Sequence, residues 1–167
     1  MLRFIIVEGN ECTGKTTLVE ELRSELGWDT KDLTHRPGDQ FLRYMVEYVN
    51  ADRIVFNRSH YAEMVFSKLY RQIEPFSPEE IAALDLLVYK YGLIVYCDLA
   101  VAEIVPRLES RNEREVLNED NTSYAELMSN AAVFASLLGQ KHTLRYTALT
   151  REDLKAVIAK IQSAVCG

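Results

Sequence analysis

The sequence predicts an α/β protein in which helices cover both faces of a parallel β-sheet. Short apolar segments typical of buried strands alternate with longer amphipathic segments typical of helices over the 167 residues. No repeat or low-complexity tract interrupts this alternation. The length favours one domain, residues 1–167, that is large enough to bury a hydrophobic core. In such a sheet, functional groups gather beyond the carboxyl ends of the strands.

Five strands are predicted from short apolar runs that end at turn residues. The first contains an uninterrupted apolar run at residues 4–7, as expected of a strand buried on both faces. The second is weak and stops at a turn that contains Pro37 and Gly38. The third, fourth and fifth are short runs rich in apolar and β-branched residues. These strands are expected at residues 2–8, 31–35, 53–56, 93–98 and 142–147.

Seven helices are predicted from apolar residues at helical spacing and from capping residues. Ser77 and Glu80 form a capping box around Pro78, a favoured first helical residue. Pro106 is expected to break or kink the fifth helix, and Thr150 to cap the seventh. These helices are expected at residues 16–26, 39–49, 59–69, 77–91, 101–110, 123–138 and 150–165.

The loop after the first strand carries the most specific motif. Residues 9–16 match G-x-x-x-x-G-K-[ST], in which backbone N–H groups and a helix N-terminus surround a phosphate. Lys15 is expected to reach the outer phosphates, and the Thr16 hydroxyl to hold Mg²⁺. The predicted nucleotide-binding residues are Gly9, Asn10, Glu11, Cys12, Thr13, Gly14, Lys15, Thr16 and Thr17.

Net charge, cysteine spacing and the lack of long apolar runs limit the kinds of molecule that we expect this protein to bind. A net charge of −6 argues against a broad nucleic-acid surface. Cys12, Cys97 and Cys166 form no C-x-x-C pair, which favours reduced thiols over disulfides or zinc. No signal peptide or membrane-spanning apolar run is evident. We therefore expect small-molecule partners, no nucleic acid, no membrane, and a cytoplasmic location.

Arginines near the strand ends are candidates for phosphate binding. Arg58 directly follows the third strand, where it would face the loop. Arg107, Arg111 and Arg114 share one helical face because they are four and three residues apart. A solvated face is the usual explanation of such a cluster, but this one lies between two helices and is followed by a polar stretch. We predict a short lid at about residues 107–121 that would exclude water and neutralise phosphate charge.

Several segments together resemble thymidylate kinases. Residues 7–17 resemble the phosphate loop of that family, including the acid Glu11, and residues 34–38 resemble its T-R-E-P-G segment. Residues 57–61 resemble its D-R motif. Arginines in the lid and none in the loop are similar to the bacterial lid-arginine subclass. The short chain resembles that of a compact, phage-type member. Such a protein would be located in the cytoplasm of the host cell.

The resemblance implies a three-layer P-loop nucleotide kinase fold with strand order 2-3-1-4-5. It implies transfer of the ATP γ-phosphoryl group to a deoxynucleoside monophosphate, most closely dTMP, with Mg²⁺, and it implies a homodimer. Glu11 would contact the sugar 3′-hydroxyl and Arg58 would bridge both phosphates. Phe41 and Arg43 would meet the acceptor, although helix core and surface roles fit them equally. The implied substrate-binding residues are Glu11, Arg36, Phe41, Arg43, Arg58 and Tyr61, and the implied catalytic residues are Glu8, Lys15, Arg58, Arg111 and Arg114.

Two departures from that family concern charge. Asn57 replaces the motif acid, and an amide can neither take up a proton nor hold Mg²⁺ as a carboxylate does. Either Glu8 or Asp98 assumes that role, or the activity is weakened; Thr16 and Asp98 are the predicted metal ligands. His35 and Arg36 reverse the charge order of the family's R-E pair.

Two other functions remain open from the sequence. The Glu8-Gly9-Asn10 segment also resembles the loop of deoxynucleoside kinases, which place a carboxylate after the second strand to deprotonate a 5′-hydroxyl. His35 and Arg36 occupy that place here, which suits a phosphorylated acceptor better. A non-catalytic nucleotide-binding regulator would be consistent with Asn57. A signalling GTPase is disfavoured because no N-K-x-D segment is present.

Overall fold

The sheet has five parallel strands in the order β2-β3-β1-β4-β5. The structure, a computed structural model, describes residues 1–110, 122–138 and 143–166. Both the parallel sheet and its strand order are confirmed. The strands are β1 (Phe4–Gly9), β2 (Asp29–Asp32), β3 (Ile54–Asn57), β4 (Gly92–Cys97) and β5 (Thr143–Tyr146).

Helices pack on both faces of this sheet. They are α1 (Lys15–Leu26), α2 (Gln40–Asn50), α3 (His60–Phe66), α4 (Pro78–Tyr91), α5 (Val101–Ser110), α6 (Thr122–Leu138) and α7 (Arg151–Cys166). A single π-helical turn, Ser67–Arg71, continues α3. No helix in the described ranges is long and apolar enough to cross a membrane.

Alternate side chains of β1 supply the two hydrophobic cores. Phe4 and Ile6 point to one face, where they join buried residues of α2, α3, α4 and α6. Ile5 and Val7 point to the other face and pack with α1 and α7. All six residues of β1 are buried, which explains the uninterrupted apolar run in the sequence.

Three predicted features of the strands and helices differ from the structure. β2 lies two to three residues earlier than expected, because its polar sequence pairs in register with β3 and shows no apolar pattern of its own. The helix predicted over 59–69 changes to π-helical geometry at Ser67. α5 continues through Pro106 without a break. By contrast, the predicted capping box of Ser77 and Glu80 is present, with both hydrogen bonds formed.

Candidate active site

Two glycines allow the chain to pass close to β4 and to the segment that follows β5. Gly9 has φ +147°, and a Cβ there would lie 2.6 Å from the carbonyl oxygen of Cys97. Gly14 has φ +88°, and its Cβ would lie 2.9 Å from the Cβ of Ala148. A side chain at either position would therefore clash as well as strain the backbone.

This loop and the N-terminus of α1 enclose the loop cavity, of about 130 Å³. Backbone N–H groups at a helix N-terminus attract anions, so this cavity is suited to phosphate. Residues from β2 and β3 complete its wall. Its lining residues are Glu11, Cys12, Thr13, Gly14, Lys15, Thr16, Thr17, Asp32, Asn57 and Arg58.

Lys15 supplies the positive charge at the floor of the loop cavity. Its side chain is buried, and Nζ donates hydrogen bonds to the carbonyl oxygens of Gly9, at 3.0 Å, and Asn10. Burial lowers the pKa of this ammonium group, and the charge of Glu11 opposes that effect. An ammonium group held by two loop carbonyls is placed to bind an anion in the same cavity.

Arg58 connects the loop cavity with a second cavity. Its φ of +73° is unusual for a residue with a side chain, and its N–H donates to the Val7 carbonyl at 3.0 Å. The guanidinium group lies 3.1 Å from Glu11 Oε1 and stacks over the Phe66 ring at 5.5 Å. An unusual backbone conformation thus holds this cation against two fixed partners.

The second cavity, the α3 cavity, has a volume of about 220 Å³ and shares Glu11 and Arg58 with the loop cavity. Its other walls come from the segment after β2, from α3 and from the π-helical turn. The lining residues are Glu11, Leu33, Thr34, His35, Arg58, Ala62, Glu63, Phe66, Tyr70 and Arg71.

A buried carboxylate organises the far wall of the α3 cavity. Glu63 Oε1 accepts hydrogen bonds from Ser67 Oγ at 2.8 Å and Arg71 Nη2 at 2.5 Å, and lies 2.8 Å from His35 Nδ1. Arg71 Nε is buried and has no hydrogen-bond partner among the described residues. This wall therefore combines a neutralised carboxylate with an arginine N–H that a ligand could satisfy.

The π-helical turn explains how Glu63 and Arg71 meet. Eight residues apart in a regular α-helix, they would be rotated by about 80° from each other. The turn Ser67–Arg71 accommodates an extra residue, so Arg71 takes the place that a residue seven positions after Glu63 would normally occupy. Both side chains then lie on the face that lines the α3 cavity.

A third cavity, the α7 cavity, adjoins the loop on its other side and has a volume of about 360 Å³. Gly14 and Thr17 belong to both the loop cavity and the α7 cavity. Arg107 donates to the carbonyl oxygens of Cys12, at 3.4 Å, and Ala148. Besides Gly14 and Thr17, the α7 cavity is lined by Glu21, Arg107, Tyr146, Ala148, Leu149, Thr150, Arg151 and Leu154. Arg107, expected in the lid, thus fixes the loop to the segment after β5.

Glu8 lies beneath the loop and is fully buried. Its carboxylate accepts hydrogen bonds from Ser59 Oγ and from the N–H groups of Ala62, at 3.3 Å, and Gly9, at 3.4 Å. Burial raises its pKa to about 7, an effect that the Ser59 hydrogen bond and the Lys15 charge reduce. Glu8 therefore joins β1 to the start of α3 and lines neither the loop cavity nor the α3 cavity.

The structure places several other predicted residues away from these cavities. Asp98 lies 3.3 Å from Arg145, outside the lining of the loop cavity. Tyr61 is buried, and its hydroxyl donates to Asp85 at 2.6 Å. Phe41 packs against the core, and Arg43 donates to the Thr34 carbonyl at 2.7 Å.

Arg36 is exposed, and its carbonyl oxygen accepts a hydrogen bond from Gln40. It lies outside the lining of the α3 cavity. Arg111 and Arg114, with most of the predicted lid, lie outside the described residues.

Sequence reasoning missed three residues that line the cavities. Asp32 was overlooked because β2 was placed too late, whereas Asp32 is its last residue and lines the loop cavity. Glu63 and Arg71 carried no signal because their spacing does not match a regular helical face. The one sign that the sequence offered for Glu63 is its place as an acid among the mostly apolar residues of α3, and the structure shows that it is buried.

Comparisons with known proteins establish the fold. No family model matches the sequence, and comparison with curated protein sequences gives no significant match. Among solved structures, the YorR protein of Bacillus subtilis, crystallised with phosphorylated GDP, is similar with a TM-score of 0.80. It is 17% identical, and the match covers 98% of each chain.

Two solved structures of kinases are also similar. Deoxyadenosine kinase from M. mycoides, with the products dCMP and dCDP bound, has a TM-score of 0.66 and 12% identity over 96% of this chain and 99% of that one. Shikimate kinase from Acinetobacter baumannii has a TM-score of 0.59 and 13% identity over 99% and 94%. The chain therefore has the P-loop kinase fold.

Proposed function

We propose that this protein is an ATP-dependent nucleotide kinase that transfers the γ-phosphoryl group to a deoxynucleoside monophosphate. The observation that carries the proposal is the row of three adjoining cavities. The loop cavity is central, shares Glu11 and Arg58 with the α3 cavity, and shares Gly14 and Thr17 with the α7 cavity. A donor nucleotide and an acceptor placed along this row would meet at Arg58.

The donor fits the loop and α7 cavities. The loop cavity would take the triphosphate, with Lys15 at its floor and the α1 N-terminus beside it. The α7 cavity would take the base and sugar, beside Arg107 and Tyr146. The Thr16 hydroxyl and Asp32 carboxylate provide oxygen ligands of the kind that Mg²⁺ prefers, and that ion would neutralise phosphate charge.

The acceptor fits the α3 cavity. Arg58 lies on the wall between the acceptor and the triphosphate, where it would stabilise the charge of the transferring group. Arg71 and His35 add cationic or hydrogen-bonding groups to the same cavity. Positive side chains at the acceptor side favour a phosphorylated acceptor. The preference for dTMP stays a prediction from the family resemblance.

A second candidate, deoxynucleoside kinase, is favoured by the contact of His35 with Glu63. A histidine oriented by a buried carboxylate is an arrangement used for general bases, and a nucleoside 5′-hydroxyl must lose a proton during transfer. The similar fold of the M. mycoides deoxyadenosine kinase is consistent with this alternative.

A panel assay separates these functions. Purified protein with ATP and Mg²⁺ is offered each common nucleoside and its monophosphate, and ADP release is measured with product identified by chromatography. We expect turnover of at least one deoxynucleoside monophosphate. Turnover of nucleosides alone would replace our proposal with the second candidate. ATP binding without any product would instead favour a non-catalytic regulator.

Substitution of His35 tests the role of the acceptor wall. Because a monophosphate acceptor is already ionised, we expect His35→Gln to leave kcat within about tenfold, with the main effect on acceptor KM. A general base would give a loss of about 10²–10⁴-fold in kcat and would abolish the acidic limb of the pH profile.

A further inference from the structure

Asp32 and Asn57 form a pair at the edge of the loop cavity. They are register partners at the carboxyl ends of β2 and β3, and both line the cavity together with Thr16. Asn57 Nδ2 donates to Asp32 Oδ2 at 3.2 Å. The pair thus occupies the sheet edge where the family resembled by the sequence places its motif acid.

The carboxylate fixes the orientation of the amide. An ionised carboxylate can only accept hydrogen bonds, so the NH₂ group of Asn57 must face Asp32. Asn57 Oδ1 is consequently turned away, and it is buried without a partner in the part of the chain that the structure describes. Asn57 therefore holds the Asp32 side chain in place, and Asp32 carries the negative charge of the pair.

Other carboxylates near the loop are engaged elsewhere. Glu8 is fully buried beneath the loop, Asp98 lies beside Arg145, and Glu11 is paired with Arg58. Asp32 is exposed and lines the loop cavity, and no ion pair with a described residue occupies it. Its carboxylate is thus available to a cation in that cavity.

We propose that Asp32 provides the carboxylate for the divalent cation of the bound nucleotide, acting with the Thr16 hydroxyl and positioned by Asn57. In this chain the acid has moved from the end of β3 to the end of the neighbouring strand β2. Mg²⁺ commonly binds through one or two carboxylates together with substrate phosphates, which this arrangement supplies. The inference rests on the proposed function only in requiring a metal–nucleotide complex in the loop cavity.

The test measures metal binding and needs no acceptor. Binding of Mn²⁺ to the protein in the presence of saturating ATP is followed by electron paramagnetic resonance. We expect Asp32→Asn to weaken Mn²⁺ affinity at least tenfold, whereas ATP affinity measured without metal stays within about twofold. Asp29→Asn, at the opposite end of the same strand and also exposed, is the matched control and should leave Mn²⁺ affinity unchanged.

A rescue variant makes the assignment specific. Adding Asn57→Asp to Asp32→Asn returns a carboxylate to the pair on the adjacent strand, and we expect most of the lost Mn²⁺ affinity to return. Unchanged Mn²⁺ affinity in Asp32→Asn, or an equal loss in Asp98→Asn, would overturn the assignment and leave the proposed kinase function standing. Failure of the unaltered protein to bind Mn²⁺ with ATP would overturn both.

Discussion

Replacing Glu8 by glutamine should change how stability depends on pH. Burial raises the pKa of Glu8 from 4.5 to about 7, so between these values the folded protein keeps a proton that the unfolded chain has lost. Stability of the unaltered protein therefore falls as pH rises through this window and levels off above it. At ~1.4 kcal/mol for each tenfold change, the loss is about 3 kcal/mol.

Glu8→Gln has no proton to lose and so should escape this loss. We expect the free energy of unfolding of the variant, relative to the unaltered protein, to rise by about 3 kcal/mol between pH 4.5 and 8. Urea unfolding followed by circular dichroism at several pH values measures the difference. Glu20→Gln, at an exposed position of α1, is the control and should give a difference independent of pH. A flat difference for Glu8→Gln as well would refute the reasoning.

Three other substitutions probe the loop and Arg58. Lys15→Ala should abolish turnover while the unfolding curve shows a folded protein, because its ammonium group donates hydrogen bonds to the carbonyl oxygens of Gly9 and Asn10 in the loop; loss of the folded state would contradict this role. Arg58→Ala should lower kcat by about 10²–10³-fold with a much smaller effect on ATP affinity, and equal losses in both would exclude selective stabilisation of the transition state. Gly9→Ala should prevent nucleotide binding measured by calorimetry, since its Cβ would lie 2.6 Å from the Cys97 carbonyl; normal affinity would show that the loop can shift.

The sequence predicted those parts of the fold that local chemistry determines. The apolar run of β1, the glycines of the loop and the capping box at Ser77 each depend on a few adjacent residues, and the structure contains all three. The parallel sheet followed from the alternation of strands and helices, and its strand order from the family resemblance.

The remaining features depend on contacts between distant segments. The polar residues of β2 form a strand because β3 pairs with them, so their own pattern gave no boundary. The position of Asp32 beside Asn57 follows from that pairing and could not be inferred once β2 was misplaced. Arg107 was assigned to the predicted lid, and its hydrogen bonds join it to Cys12 and Ala148, which lie 95 and 41 residues away in the sequence, so no local pattern could show them.

The π-helical turn gives the α3 cavity a tolerance to one change in chain length. With one residue deleted between Ser67 and Tyr70, Arg71 would lie seven positions after Glu63, and a regular helix would still present it to that carboxylate. A second deletion has no such compensation, and the side chains beyond it would swing by about 100°. One lost codon would therefore keep the group that meets the acceptor, whereas a second would exchange it while leaving the sheet and the phosphate loop intact.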